Sequence, residues 1–122
     1  MQNIITAKVL EWHKHPNADR LRIVKVDAGP EHGIIEPVVC GATNFDVGDI
    51  VVLALPGAHI AQNIHSETHE PFILDKAVIR GIQSQGMLCA AFELGLSSEP
   101  EPIILVLPSG TLVGSEFQPQ MV

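Results

Sequence analysis

Side chains able to do chemistry are sparse in this chain of 122 residues, and the densest run of them is Arg80-Gly81-Ile82-Gln83-Ser84-Gln85-Gly86-Met87-Leu88-Cys89-Ala90-Ala91. A guanidinium is followed by a glycine, three neutral hydrogen-bonding side chains, a second glycine and an apolar stretch. Glycine permits backbone geometry and close approach that a Cβ resists. Gln83, Ser84 and Gln85 are therefore expected in a polar corner set directly against a buried strand. Recognition residues concentrate on such loops of a rigid scaffold, although a bend that merely turns a sheet corner would carry the same glycines. The chemistry on offer is hydrogen bonding and charge pairing rather than bond making. There are no paired carboxylates and no glycine-rich phosphate loop. No orienting motif surrounds Cys40 to pair it with a histidine as a nucleophile. His65 and His69 have a spacing that serves a metal only on a helix, and their segment lacks helical periodicity. No closely spaced cysteines complete a tetrahedral site with them or with His13, His15 or His59. Neither catalysis nor a metal or other cofactor is expected of these residues.

Charge narrows the partner. The formal net charge is −7, so bulk electrostatics cannot hold a nucleic acid. The distribution is uneven, however. Residues 1–30 carry five cations, Lys8, Lys14, Arg20, Arg22 and Lys25, against three acids, a balance of +2. Residues 31–122 carry only Lys76 and Arg80 against eleven acids, a balance of −9. A nucleic acid would be met at one small site with a modest dependence on salt. Aromatic side chains for stacking are few: Trp12, Phe45, Phe72, Phe92 and Phe117, with no tyrosine. Each stacked base is worth about 1–3 kcal/mol, so one or two such contacts do not give tight binding. Trp12 reads as a packed rim residue or as an exposed platform, and Phe45 and Phe92 read as core. Arg20 and Arg22 read as nucleic-acid contacts or as solvated strand residues holding Asp19 and Asp27.

The elements that must position these residues are mostly strands. Ile4 to Trp12 and Leu21 to Asp27 are β-type runs, joined by a loop at His15-Pro16-Asn17-Ala18-Asp19 where Pro, Asn and Asp favour turning. A turn region from Ala28 to Glu36 leads to a short apolar strand, Pro37 to Gly41. A polar connection then precedes the buried strand Ile50 to Leu55, which Pro56-Gly57 ends. Ala58 to Pro71 is expected to be an exposed hairpin or loop. Phe72 to Arg80 reads as a further strand, and Met87 to Ala90 as a return to the core. Ala91 to Gly95 reads as one or two helical turns stopped by glycine, and Ile103 to Leu107 as the last strand.

One domain spanning residues 1–122 follows from the length. Hydrophobic content of 46% places it among globular chains rather than disordered ones. No apolar run approaches the ~18 residues that span a bilayer, and Met1 to Lys8 lacks a basic region followed by an apolar stretch. Two isolated thiols in apolar contexts suit a reducing compartment, so a cytoplasmic location without membrane partners is expected. About six strands with turns every ~8–12 residues suggest a small barrel or sandwich. The preferred fold is all-β: a five-stranded Greek-key oligonucleotide-binding barrel with an extra hairpin or loop insertion and one short helix.

Five motifs then occur in register: His15-Pro16-Asn17-Ala18-Asp19-Arg20-Leu21, Val39-Cys40-Gly41-Ala42-Thr43-Asn44, Ala54-Leu55-Pro56-Gly57-Ala58, Arg80 to Cys89, and Glu93-Leu94-Gly95-Leu96. Together they resemble the tRNA-binding domain near the N-terminus of the bacterial phenylalanyl-tRNA synthetase beta subunit, over about Ile4 to Val113. The resemblance implies a non-catalytic tRNA-binding module of a phenylalanine–tRNA ligase, auxiliary to aminoacylation and excised from a larger subunit, whose neighbours would be other beta-subunit domains and a catalytic alpha subunit. ATP and Mg would be needed only by the parent enzyme. It implies RNA-binding roles for Asn17, Arg20, Arg22, Asn44, Arg80, Ser84 and Met87. A free-standing homodimeric tRNA-binding or chaperone-like protein, and a structural spacer without RNA contact, are the alternative readings.

Overall fold

The computed structural model describes every residue from Met1 to Val122. Strand β1 (Ile4–His15) is followed by β2 (Ala18–Asp27), a four-residue helix α1 (Gly29–His32), β3 (Ile34–Cys40) and β4 (Ile50–Ala54). Six short strands complete the set: β5 (His59–Ile60), β6 (Phe72–Ile73), β7 (Ala77–Ile79), β8 (Ile82–Ser84), β9 (Met87–Leu88) and β10 (Val106–Leu107). The main sheet is antiparallel in the order β10-β4-β1-β2-β3. Strands β9 and β10 share one edge of β4: β10 pairs with Ile50 and Val51, and β9 with Leu53 and Ala54. The all-β expectation is met, with six strands in the main sheet because two short ones occupy one edge. The ribbons β5–β6 and β7–β8 form separate two-stranded sheets. No helix is long and apolar enough to cross a membrane.

Side chains alternate across a strand, and β4 uses both faces. Val51 and Leu53 join one core with Val9, Val24, Val26 and Val38, while Ile50, Val52 and Ala54 join a second with Ile60, Leu107 and Phe117. A strand covered on both faces has no place for a polar residue, which is why this segment is an uninterrupted apolar run. The second core is closed by the C-terminal segment, which returns to β1. Thr6 Oγ1 donates to the Leu112 carbonyl at 2.6 Å and accepts from Ser115 N–H at 3.0 Å.

Three local expectations are corrected. The expected loop from His15 to Asp19 is only a two-residue turn, Pro16-Asn17, because His15 already pairs with Ala18. The expected strand from Phe72 to Arg80 is broken at Leu74-Asp75-Lys76. Its first part pairs with β5 and its second with β8, and Asp75 Oδ1 accepts the Lys76 N–H where the two part. The short helix lies at Gly29–His32, with Pro30 in its first turn, rather than at Ala91 to Gly95. That second segment is a run of tight turns. Glu93, Leu94 and Gly95 each donate a backbone N–H to the carbonyl three residues earlier, and Glu93 Oε1 accepts the Ala90 N–H at 2.8 Å.

Two substitutions test these packing arguments. Gly86 has no positive φ, so its need for glycine is close approach. A Cβ there would lie 2.8 Å from the Ala54 carbonyl oxygen and 2.9 Å from Leu53 Cδ1. Gly86→Val is expected to destabilise the fold by about 1–3 kcal/mol or more, as overpacking does, and a denaturation curve matching the parent's would refute the close approach.

The Glu93 carboxyl, only 6% exposed, is raised above the ordinary glutamate value by burial, against the lowering effect of the Ala90 N–H. Because its folded pKa lies above its unfolded one, the unfolded chain releases this proton first. Its contribution to stability falls as pH rises from about 4.5, the ordinary value, through the raised one. Glu93→Gln keeps an acceptor for Ala90 and removes the charge. The variant's stability should match the parent's near pH 4 and exceed it increasingly towards neutrality. A stability difference that does not change with pH, in parallel denaturant titrations, would show that the carboxyl is not penalised by burial.

Candidate functional site

Two hairpin tips meet at one end of the molecule. The β7–β8 tip is Arg80-Gly81, flanked by the pair Ile79 and Ile82. Arg80 has φ +52° and Gly81 φ +89°. Left-handed geometry at both central residues is what a two-residue hairpin turn matched to strand twist requires. Arg80 thus stands exposed at the apex. The β1–β2 tip is Pro16-Asn17, and it is locked to the other by His15. The Asn17 N–H donates to His15 Nδ1 at 3.0 Å, and His15 Nε2 lies 3.0 Å from the Ile79 carbonyl. Since Nδ1 accepts, the ring proton sits on Nε2 and is donated to Ile79. His15, a buried polar residue, was missed by sequence reasoning, which placed it in a solvated loop. Its signal lies in the third dimension, because its partner is 64 residues away.

The seven residues implicated by sequence divide into three groups. Asn17, Arg20 and Arg80 are exposed at or beside the joined tips, and their side chains make no hydrogen bond or ion pair. The chain's two ion pairs are Met1–Glu116 and Lys25–Glu11, so neither Arg20 nor Arg22 holds Asp19 or Asp27. Arg22, Asn44 and Ser84 spend their polar atoms inside the chain. Arg22 Nη1 donates to the Phe45 carbonyl at 2.7 Å while the guanidinium lies 3.7 Å from the Trp12 ring centre. Asn44 pairs with the Ile104 backbone in both directions, donating at 2.9 Å and accepting at 3.0 Å. Ser84 Oγ accepts the Val39 N–H at 2.9 Å and donates to the Gly86 carbonyl at 2.7 Å. Met87, half-buried, forms the third group alone, in the wall of a cleft.

Trp12 is neither free nor core. It is half-buried, covered by Arg22, and donates its indole N–H to Asp46 Oδ1 at 3.1 Å. That bond, with the Val47 N–H, holds the Asp46 carboxyl below its ordinary value. Trp12 pairs with Val24 across the β1–β2 ladder. Arg22 is therefore its diagonal neighbour on the same face, within reach of a long side chain.

The cleft has a volume of about 530 Å³ and is lined by Leu21, Ile64, Phe72, Ile79 and Met87 among other residues, with Ser84 and Glu93 in its wall. Its relation to the tips follows from chain order: Leu21 adjoins Arg20, and Ile79 adjoins Arg80. Cys40 also lines it, but burial pushes this thiol up to about 11, and burial likewise raises Cys89. Neither is a nucleophile at neutral pH. No three His, Cys, Asp or Glu side chains gather as a metal-ligating group. The arrangement can bind by charge and hydrogen bonding at the tips and by apolar contact in the cleft.

Comparison with known proteins gives the family. Residues 4–116 match the family model described as "Putative tRNA binding domain". The chain is similar to the phenylalanine–tRNA ligase beta subunit of Dehalococcoides mccartyi, at 47% identity over 92% of this chain. It is also similar to the same subunit of Bdellovibrio bacteriovorus, at 40% identity over 94%. It spans 13% of the length of each. Among solved structures, the C-terminal domain of Plasmodium vivax p43 superposes with a TM-score of 0.56 at 25% identity, covering 92% of this chain and 56% of that one. The chain belongs to the tRNA-binding domain family, in the form similar to that of phenylalanine–tRNA ligase beta subunits.

Proposed function

We propose that this chain is a tRNA-binding module that meets RNA at its joined hairpin tips and works as an auxiliary part of a phenylalanine–tRNA ligase. The observation that carries the reading is the trio Asn17, Arg20 and Arg80: three side chains with hydrogen-bonding or charged ends, exposed beside one another's hairpins and without partners in the chain. Family membership supplies the kind of nucleic acid. Arg22, Asn44 and Ser84 act behind this surface by fixing the backbone around it. The module holds or positions tRNA, and aminoacylation, with its ATP and Mg, belongs to a catalytic alpha subunit. Neighbouring beta-subunit domains and that alpha subunit are its protein partners.

The surface predicts a weak, local interaction. Three exposed cations lie at or next to the tips, Lys14, Arg20 and Arg80, each adding about 0.7–0.9 to the slope of log K against log salt. Titration of tRNA over a salt series should therefore give a slope of about 2–3 in magnitude. Arg80→Ala should reduce that slope by about 0.7–0.9 and leave stability within about 0.5 kcal/mol of the parent. Its strained φ adds no penalty, because Arg80 already carries a Cβ there. Unchanged affinity together with a shifted melting curve would make Arg80 structural. No complex at low salt would favour the spacer reading.

A further inference from the structure

The cleft beside the tips holds a carboxylate that the fold uses only in part. Glu93 is among only four buried polar residues. Its Oε1 accepts the Ala90 N–H, but no hydrogen bond or ion pair is made by Oε2, and the carboxyl lines the cleft. Ser84 is spent on two backbone groups. Asn63 Oδ1 accepts the His65 N–H, while its amide nitrogen makes no hydrogen bond in the chain. Asp75 and His65 are exposed at the cleft, and the charge of His65 favours the ionised form of Glu93. The remaining lining is mainly apolar, and the volume of about 530 Å³ falls in the range of small-molecule sites.

We infer that this cleft receives one unstacked guanine base of the bound RNA, with the Glu93 carboxylate accepting from its Watson–Crick edge and the apolar walls covering its faces. The inference rests on the RNA-binding reading above. An ionised carboxylate only accepts hydrogen bonds, so it selects a ligand edge made of donors. Guanine presents two adjacent donors, N1–H and the N2 amino group. Adenine and cytosine place an acceptor next to their amino group, and uracil flanks its single N–H with two acceptors; each acceptor would face the carboxylate and be repelled. Unpaired bases are read in this way, by their Watson–Crick edge and by packing against side-chain walls. Leu21, Ile64, Ile79 and Met87 supply such walls. Arg20 and Arg80, next in sequence to two of these wall residues, are positioned for the phosphates on either side of the base.

The test uses four trinucleotides, each with G, A, C or U at the centre between two uridines, titrated calorimetrically into the chain at low salt, with tRNA run in parallel. The G-centred trinucleotide should bind about tenfold or more tighter than the other three, as a bidentate base contact allows. Methyl resonances of Met87, Ile64 and Ile79 should shift on binding, while those of the distant surface residues Val47 and Leu112 should not. Glu93→Gln, whose folding is checked by its melting curve, should reduce the preference to about twofold or less. The shift mapping on the parent chain decides the matter even if that variant fails to fold. Equal affinity for the four, preference for A or C, a preference that survives Glu93→Gln, or shifts remote from the cleft would each overturn the guanine assignment. If tRNA still binds in those cases, the proposed function stands without the cleft. If neither tRNA nor any trinucleotide binds, the underlying reading falls with it.

Discussion

Strand β1 is shared between neighbours that cannot all lie beside its full length, and the rest of the fold depends on how it is divided. Its first half, Ile4 to Lys8, pairs with β4, and its second half, Lys8 to His15, pairs with β2. The two ladders overlap only at Lys8, and the register shifts immediately afterwards, between Val9 and Glu11. Such an irregularity bends a strand and increases its twist. The C-terminal segment takes the remaining edge of the first half through Thr6 and the isolated pair Ile5–Glu116. A strand this committed leaves only its far end, His15, to reach across to the β7–β8 hairpin. The candidate site thus lies where the most constrained strand runs out of sheet.

Polar side chains in this protein mostly serve the backbone. Asn44, Ser84, Thr6, Gln62 and Glu93 each hold main-chain groups of segments distant or irregular in structure. The reason is the shortness of the later strands. Elements of two or three residues satisfy few of their own N–H and carbonyl groups, and buried backbone groups left unpaired are costly. Side chains complete the ladders that such strands cannot. The strong side-chain interactions near the surface follow the same economy: Arg22 both stacks on Trp12 and caps the Phe45 carbonyl, leaving little of it for a ligand.

Much of the architecture was legible from residue order. The long apolar and alternating runs marked β1, β2, β3 and β4, because period-two patterning survives in any sheet with defined faces. The need for glycine at Gly86 was also legible, and the structure resolves its cause as close approach to Leu53 and Ala54. Less readable were the elements whose boundaries depend on partners far away. The strand expected across Phe72 to Arg80 is cut by competition between β5 and β8, and the turns at Ala91 to Gly95 have a helical composition but three-residue hydrogen bonding. Site residues divided along the same line. Arg80 and Asn17 sit on turns whose chemistry is local and so can be read in sequence. The engagement of Asn44 with Ile104, 60 residues away, has no local signature, and neither does the lock formed by His15.

The His15 lock also has an entropic meaning. Two loose hairpin tips would each sample many orientations, and a ligand touching both would have to freeze them on arrival. One imidazole bonded to the Asn17 N–H and the Ile79 carbonyl ties the two turns into a single rigid body while the chain folds. For RNA met at these tips, as proposed, the ordering cost would be met before it arrives, and the small interaction energy of three side chains would go into affinity rather than into immobilising loops. A surface this small would gain from being held in one shape beforehand.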